Sequence, residues 1–222
     1  MRRAARAVRV CAPVLALLLA GCDEPALERP GTVSVAFEGE LVGWSHRTFN
    51  ERTDYSVVRS WGNGRVLKAV SRNSASILTR AVAIDIRQTP ILEFAWRVDA
   101  PLAGLDERSP AGNDFAARVY VTFDGAPARR EDVVLNYVWS GAEPEGSVWT
   151  SPYWEGAKLV AATSGEERAG SWVTVRRDLR EDLRAAFGFT LDQVESVAVM
   201  TDTDGSGGST TAWYGTIRFL PE

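Results

Sequence analysis

Cysteine and histidine are almost missing from this chain: Cys11 and Cys22 are the two cysteines and His46 the one histidine among 222 residues. So few soft ligands leave no His/Cys cluster at zinc spacing, and a Ser-His-Asp triad has a single place to stand, between Ser45 and Arg47. No Gly-x-Ser-x-Gly elbow and no phosphate-cradling glycine loop occurs either. The apolar run Val14 to Leu19 is too short to span a bilayer. Positive charge is in deficit, with 25 Lys+Arg against 29 Asp+Glu and a net charge of -4. An acidic chain without a Lys/Arg cluster has no footprint for nucleic acid and no pull toward anionic lipid.

The first residues carry a localisation signal. Arg2, Arg3, Arg6 and Arg9 precede the short apolar run, and Leu19-Ala20-Gly21-Cys22 follows it. A basic segment, a short apolar core and small residues at the cleavage point describe a secretory signal over 1–21. A cysteine directly after Leu-Ala-Gly resembles the acylation site of bacterial lipoproteins, so lipidation is expected on Cys22. Cleavage removes Cys11 and four arginines, leaving 21 Lys+Arg against 29 Asp+Glu, a net charge of -8. The expected product is exported, lipid-anchored to the bacterial cell envelope and facing the periplasm, without a disulfide to staple it. Asp23 resembles an inner-membrane retention signal, yet the choice of inner or outer membrane stays open, as does the oligomeric state. Residues 22–31, with Pro25 and Pro30, read as a tether.

From Val33 onward the apolar pattern has period two. Leu92, Phe94, Trp96 and Val98 alternate with Glu93, Ala95 and Arg97, and the stretch Asp114 to Phe123 alternates likewise. On that reading Phe115, Ala117, Val119, Val121 and Phe123 face a core, while Asp114, Arg118, Tyr120 and Thr122 face away. Similar segments recur to Phe219, punctuated by Gly62-Asn63-Gly64, Asp124-Gly125 and Gly205-Ser206-Gly207-Gly208. One helix is expected over Leu179 to Phe187, capped by Asp178 and ended by Gly188. Trp96 and Trp172 are assigned to the core. Residues 32–222 therefore predict a mainly β domain, a single jelly-roll-like antiparallel β-sandwich with one short helix.

Several segments carry a resemblance: Phe37-Glu38-Gly39, Ser74-Ala75-Ser76, Asn113 to Val121, Leu135-Asn136-Tyr137-Val138-Trp139-Ser140 and Met200-Thr201-Asp202-Thr203-Asp204, in this order. The chain resembles the bacterial family catalogued as domain of unknown function 3047, from about Val35 to Phe219. The resemblance implies a secreted or envelope β-sandwich and brings no catalytic residues with it.

Outward-facing positions of neighbouring strands assemble a polar strip: Arg97, Asp114, Arg118, Tyr120, Tyr137 and Trp139, with Asp202 and Asp204 at a strand end. Aromatic faces flanked by planar hydrogen-bonding groups suit sugars, through stacking on the ring and charge-assisted bonds to hydroxyls. An internal Arg-Asp pair with Tyr and Trp in the core is the plainer alternative. Trp149, Tyr153 and Trp154 cluster in a segment of poor periodicity, read as a loop that either presents aromatics or folds down over the sandwich. Asp202 and Asp204, two apart before a glycine turn, are weak candidates for calcium, because the twelfth position of an EF-hand-like loop is Trp213 rather than an acid.

The sequence thus predicts a lipid-anchored, non-catalytic binding module for a carbohydrate-like or polar ligand, without further cofactor. Two alternatives stand beside it: a polysaccharide-cleaving hydrolase or lyase on a jelly-roll fold, using Asp114, Asp202 or Asp204, and a protein-protein interaction module of the cell envelope.

Overall fold

The computed structural model describes residues 31–60, 62, 64–125 and 132–222. The expected signal segment, Cys22 and nearly all of the tether, together with the turn residue Asn63, lie outside the described residues. The strands are β1 (Val33–Val35), β2 (Ser45–Thr48), β3 (Asp54–Ser60), β4 (Gly64–Arg72), β5 (Ser76–Asp85), β6 (Ile91–Val98), β7 (Arg118–Phe123), β8 (Val133–Ser140), β9 (Val148–Thr150), β10 (Ala157–Ser164), β11 (Val173–Asp178), β12 (Gln193–Met200), β13 (Ser209–Tyr214) and β14 (Ile217–Leu220). The helix α1 occupies Leu179–Phe187 as expected: Asp178 accepts hydrogen bonds from the Arg180 and Glu181 amides, and Gly188 ends it in the left-handed conformation.

The strands form two seven-stranded sheets packed face to face. In the first, β13 and β14 run end to end along one edge of β6 and pair outward with β4 and β1, while β11 takes the other edge of β6. The second sheet has the order β2-β5-β12-β7-β8-β10-β9. Among the described residues every ladder is antiparallel except that of β10 on β8, which is parallel.

The core lies between the sheets. Phe94 and Trp96 of the first sheet meet Tyr137 and Trp139 of the second, with ring centroids 6.2 Å apart for Phe94–Tyr137 and 5.9 Å for Trp96–Trp139. Each such ring removes about 150–250 Å² from water, roughly 4–6 kcal/mol before entropy. Their polar atoms are satisfied. The Trp96 Nε1 donates to Thr163 Oγ1, the Trp139 Nε1 to the Gly165 carbonyl, and the Tyr137 hydroxyl to Asp182. Trp172, expected in the core, is only half-buried just before β11. Asp114 and Phe115 lie in the loop before β7 rather than on the strand, and Phe115 turns to the opposite face from Val119 and Val121 to join Val138, Trp149, Leu159 and Ala161.

Close backbone approach also shapes the end of β8. A Cβ on Gly141 would stand 2.0 Å from the Leu102 carbonyl oxygen, which no side-chain rotation relieves. Gly141→Ala is therefore expected to cost about 1–3 kcal/mol through overpacking. Urea denaturation midpoints measure this, and an unchanged midpoint would mean that the 100–104 loop yields freely.

Candidate functional site

The outer face of the second sheet builds the site. On β7, Val119 and Val121 point into the core, so Arg118 and Tyr120 point outward. The ladders set Tyr120 opposite Asn136 on β8, and Arg118 opposite Met200 on β12. These four residues line a cleft of about 470 Å³ that also takes in Asn113, Asp114, Asp202, Asp204, Phe49 and Tyr153. The volume falls within the roughly 300–1,000 Å³ of small-ligand sites.

An ion pair sets the floor. Arg118 donates from Nε to Asp202 Oδ1 at 2.8 Å and from a terminal nitrogen to Oδ2 at 2.5 Å, with side chains only 4% and 3% exposed. The guanidinium also donates to the Asn113 side-chain and backbone oxygens and lies 4.4 Å from the Phe115 ring centroid. Burial pushes the Asp202 carboxyl up, and the facing guanidinium opposes that shift. Burial also pushes the Tyr120 phenol up to about 12, so it stays neutral.

The segment that carries Asp202 and Asp204 is fixed by buried hydroxyls. Thr53 donates to the Thr201 carbonyl, Ser71 bridges Ser74 and Thr203 at 2.8 Å each, and the Thr203 amide donates to the Ser74 carbonyl. Asp114 accepts the amides of Gly205 and Ser206 and so holds the following turn. Glu107 supports the other side: its carboxyl accepts from Ser140 Oγ and the Gly141 and Ala142 amides, and its carbonyl accepts from Asn113. Burial raises the Glu107 pKa.

Two aromatics stand at the rim. Tyr153 is 68% exposed, yet its hydroxyl donates to the Pro110 carbonyl at 2.7 Å, which fixes the ring in place. Phe49, beyond β2, is 55% exposed and has the Arg47 guanidinium 4.9 Å from its centroid.

The structure thus brings together Asp114, Arg118, Tyr120, Asp202, Asp204 and Tyr153, all singled out from the sequence. Others do not reach the cleft. Tyr137 and Trp139 point into the core, because four large rings gain more from meeting each other than from solvent exposure. Arg97 lies on the first sheet, stacked 3.9 Å from the Trp213 centroid. Trp149 folds down into the cluster around Phe115, and Trp154 is partly exposed but covers Gly156. His46 sits on β2 edge-on to Tyr55, its pKa lowered by burial and by Arg52. The sequence reading did not propose Asn113, Asn136 or Phe49 for the site, although the first two lie in the segments that carry the resemblance. Asn136 carried a signal, as the one amide within β8, flanked by Val133, Val134 and Leu135 on one side and Tyr137, Val138 and Trp139 on the other.

Carboxylate oxygens of Asp114, Asp202 and Asp204 lie within 4.8 Å of one another, so these three are the candidate metal ligands among the described residues. Asp202 is already committed to Arg118 and the Phe115 amide, and Asp114 to two amides. Calcium, which takes six to eight oxygens, would have to share them with these donors.

The sequence profile of a family described as "Protein of unknown function (DUF3047)" matches residues 42–218. No curated protein sequence matches the chain. Among solved structures, the chain is similar to a family 11 carbohydrate-binding module of the cellulosomal cellulase Lic26A-Cel5E of Clostridium thermocellum, with a TM-score of 0.48, 9% identity, and 88% of this chain and 97% of that one covered. It is also similar to the xyloglucanase domain of NopAA, a type three effector from Sinorhizobium fredii, with a TM-score of 0.44, 12% identity, and coverage of 86% and 98%. A family 30 carbohydrate-binding module of the Clostridium thermocellum cellulase Cel9D-Cel44B gives 0.41, 14% identity, and coverage of 86% and 92%.

Removing one partner of the buried pair strands the other charge. Arg118→Met is expected to cost about 3–5 kcal/mol, and Arg118→Met with Asp202→Leu to regain most of it. Urea denaturation checks both, and a single variant as stable as the wild type would deny the pair its structural role.

Proposed function

Because the chain belongs to this family, DUF3047, whose description assigns no activity, we propose a function from the cleft itself: a non-catalytic binding module for a polyhydroxylated, carbohydrate-like ligand. The observation that carries the reading is Tyr153, held by Pro110 yet exposed at the rim of a cleft with polar groups on its floor. A ring fixed before the ligand arrives stacks on a sugar face at little entropic cost. Asp204 and Asn136 supply acceptors for hydroxyls. Three carboxylates against one guanidinium repel phosphates and uronates, so the ligand is not anionic.

The cleft supports binding over cleavage. Glycoside hydrolysis uses two carboxyl groups, one to give a proton and one to attack or to activate water. Here Asp202 is neutralised by Arg118, and Asp114 is engaged by two amides. The internal Arg118–Asp202 pair is a sign also expected of a protein-interaction module. The cleft beside it favours a small polar ligand instead.

The module is presented at the envelope by lipid on Cys22, a reading supported by Leu19-Ala20-Gly21-Cys22 after a basic and apolar leader. Two acyl chains or more make such an anchor stable, at about 0.8 kcal/mol per buried methylene.

Full-length protein in detergent should unfold later with the right neutral oligosaccharide, by about 2.7 kcal/mol of apparent stability at a hundred times the dissociation constant. Tyr153→Ala should weaken that binding by about tenfold, equivalent to a stacking contribution of about 1.4 kcal/mol. Absence of any shift across a broad neutral panel would sink the sugar reading. For the anchor, Cys22→Ser should abolish palmitate labelling and move the protein out of the membrane fraction; unchanged labelling would rule out Cys22 as the acylated residue.

A further inference from the structure

The hydrogen-bonding sense of the cleft is one-sided. Of the five N–H groups of a guanidinium, four in Arg118 go to Asp202 and Asn113. Asn113 Nδ2 donates to the Glu107 carbonyl, the Tyr153 hydroxyl to Pro110, and the Tyr120 hydroxyl to Met200 sulfur. The Gly205 and Ser206 amides are spent on Asp114. Beside one guanidinium N–H and the Asn136 amide nitrogen, what remains is acceptors. Asp204 makes no hydrogen bond or ion pair among the described residues, although its oxygens lie within 4.8 Å of those of Asp114 and Asp202. Asn136, only 4% exposed, lines the same cleft with an Oδ1 that has no partner. A buried acceptor without a donor is costly, about 1–3 kcal/mol, and a ligand that supplies the donor recovers it.

From this geometry we propose that the ligand bears a free amino group, bound as an ammonium at Asp204 and Asp114, so that the module prefers amino sugars over their N-acetylated or neutral counterparts. The inference rests on the carbohydrate reading and narrows it. An ammonium offers three donors and no acceptor, which matches a cleft whose carboxylate acceptors outnumber its free donors. Its single charge offsets part of the carboxylate excess that Arg118 leaves uncompensated. The rim rings Tyr153 and Phe49 add faces that attract cations. A divalent metal fits less well, since it would have to take Asp202 oxygens away from Arg118.

The test is calorimetric titration of the full-length protein at pH 6 and low salt with glucosamine oligomers, N-acetylglucosamine oligomers and cello-oligosaccharides of equal length, and with calcium alone. The expected result is about tenfold or tighter binding of the glucosamine oligomer, a preference that shrinks at high salt. Asp204→Asn, on an accessible turn, should abolish the preference, bringing the glucosamine oligomer down to the affinity of the neutral oligomers for the same variant, with thermal unfolding reporting that the variant is folded. Equal affinity for amino and neutral oligomers would overturn the inference and leave the neutral-sugar reading standing. No binding of any oligomer overturns both. Calcium binding that Asp204→Asn removes would make the carboxylates a metal site and likewise overturn it.

Discussion

The bidentate pair between Arg118 and Asp202 is the constraint on which the cleft depends. Both charges are almost wholly removed from water, and neither is tolerable there without the other. Arg118 leaves β7 at its first residue and Asp202 follows the end of β12, so their contact fixes the two strand ends relative to each other. The remaining guanidinium donors then reach Asn113 and pin the loop that also carries Asp114. One ion pair therefore positions Asn113 and, through their shared loop, Asp114. Its own charges are spent in doing so, which leaves recognition to the groups on its periphery.

A binding surface on a sheet face needs support from the opposite face, and here that support is aromatic. Tyr137 and Trp139 alternate with Asn136 and Val138 along β8, so the residues that anchor the core also hold Asn136 at the cleft. The polar atoms of Trp96, Tyr137 and Trp139 are paired within the protein, and these rings gain apolar burial without leaving an orphan donor of their own. Rigidity of the outer face follows from this packing.

Much of the fold was legible as a sequence pattern. Where one face of a strand meets solvent, as in β6 with buried Leu92, Phe94, Trp96 and Val98 against less buried neighbours, alternation announces the inward side. The helix was equally readable, because Asp178 and Gly188 mark its ends chemically. β8 defeated the same reasoning. Nearly every residue of Val133–Ser140 is buried, the hydrophobic contrast between faces vanishes, and two outward aromatics were as plausible as two inward ones. The stretch before β7 failed differently: Asp114 and Phe115 keep a period-two pattern but belong to a loop, so the phase set by Val119 and Val121 does not extend to Phe115. The acids of the site were visible as residues. Their convergence was not, because it depends on contacts such as Phe115 amide to Asp202 across 87 positions of sequence.

The parallel pairing of β8 with β10 has a consequence for how such a module diversifies. Adjacent parallel strands cannot be joined by a tight turn and require a crossover. Here the segment 141–156 makes it, carrying β9 to the far edge of β10 and Tyr153 to the rim of the cleft. Topology thus obliges the chain to keep a long excursion at the place where a ligand is met. Its tip is free to lengthen, shorten or exchange its aromatic without altering a single rung between β8 and β10, so selection on ligand choice is separated from selection on folding.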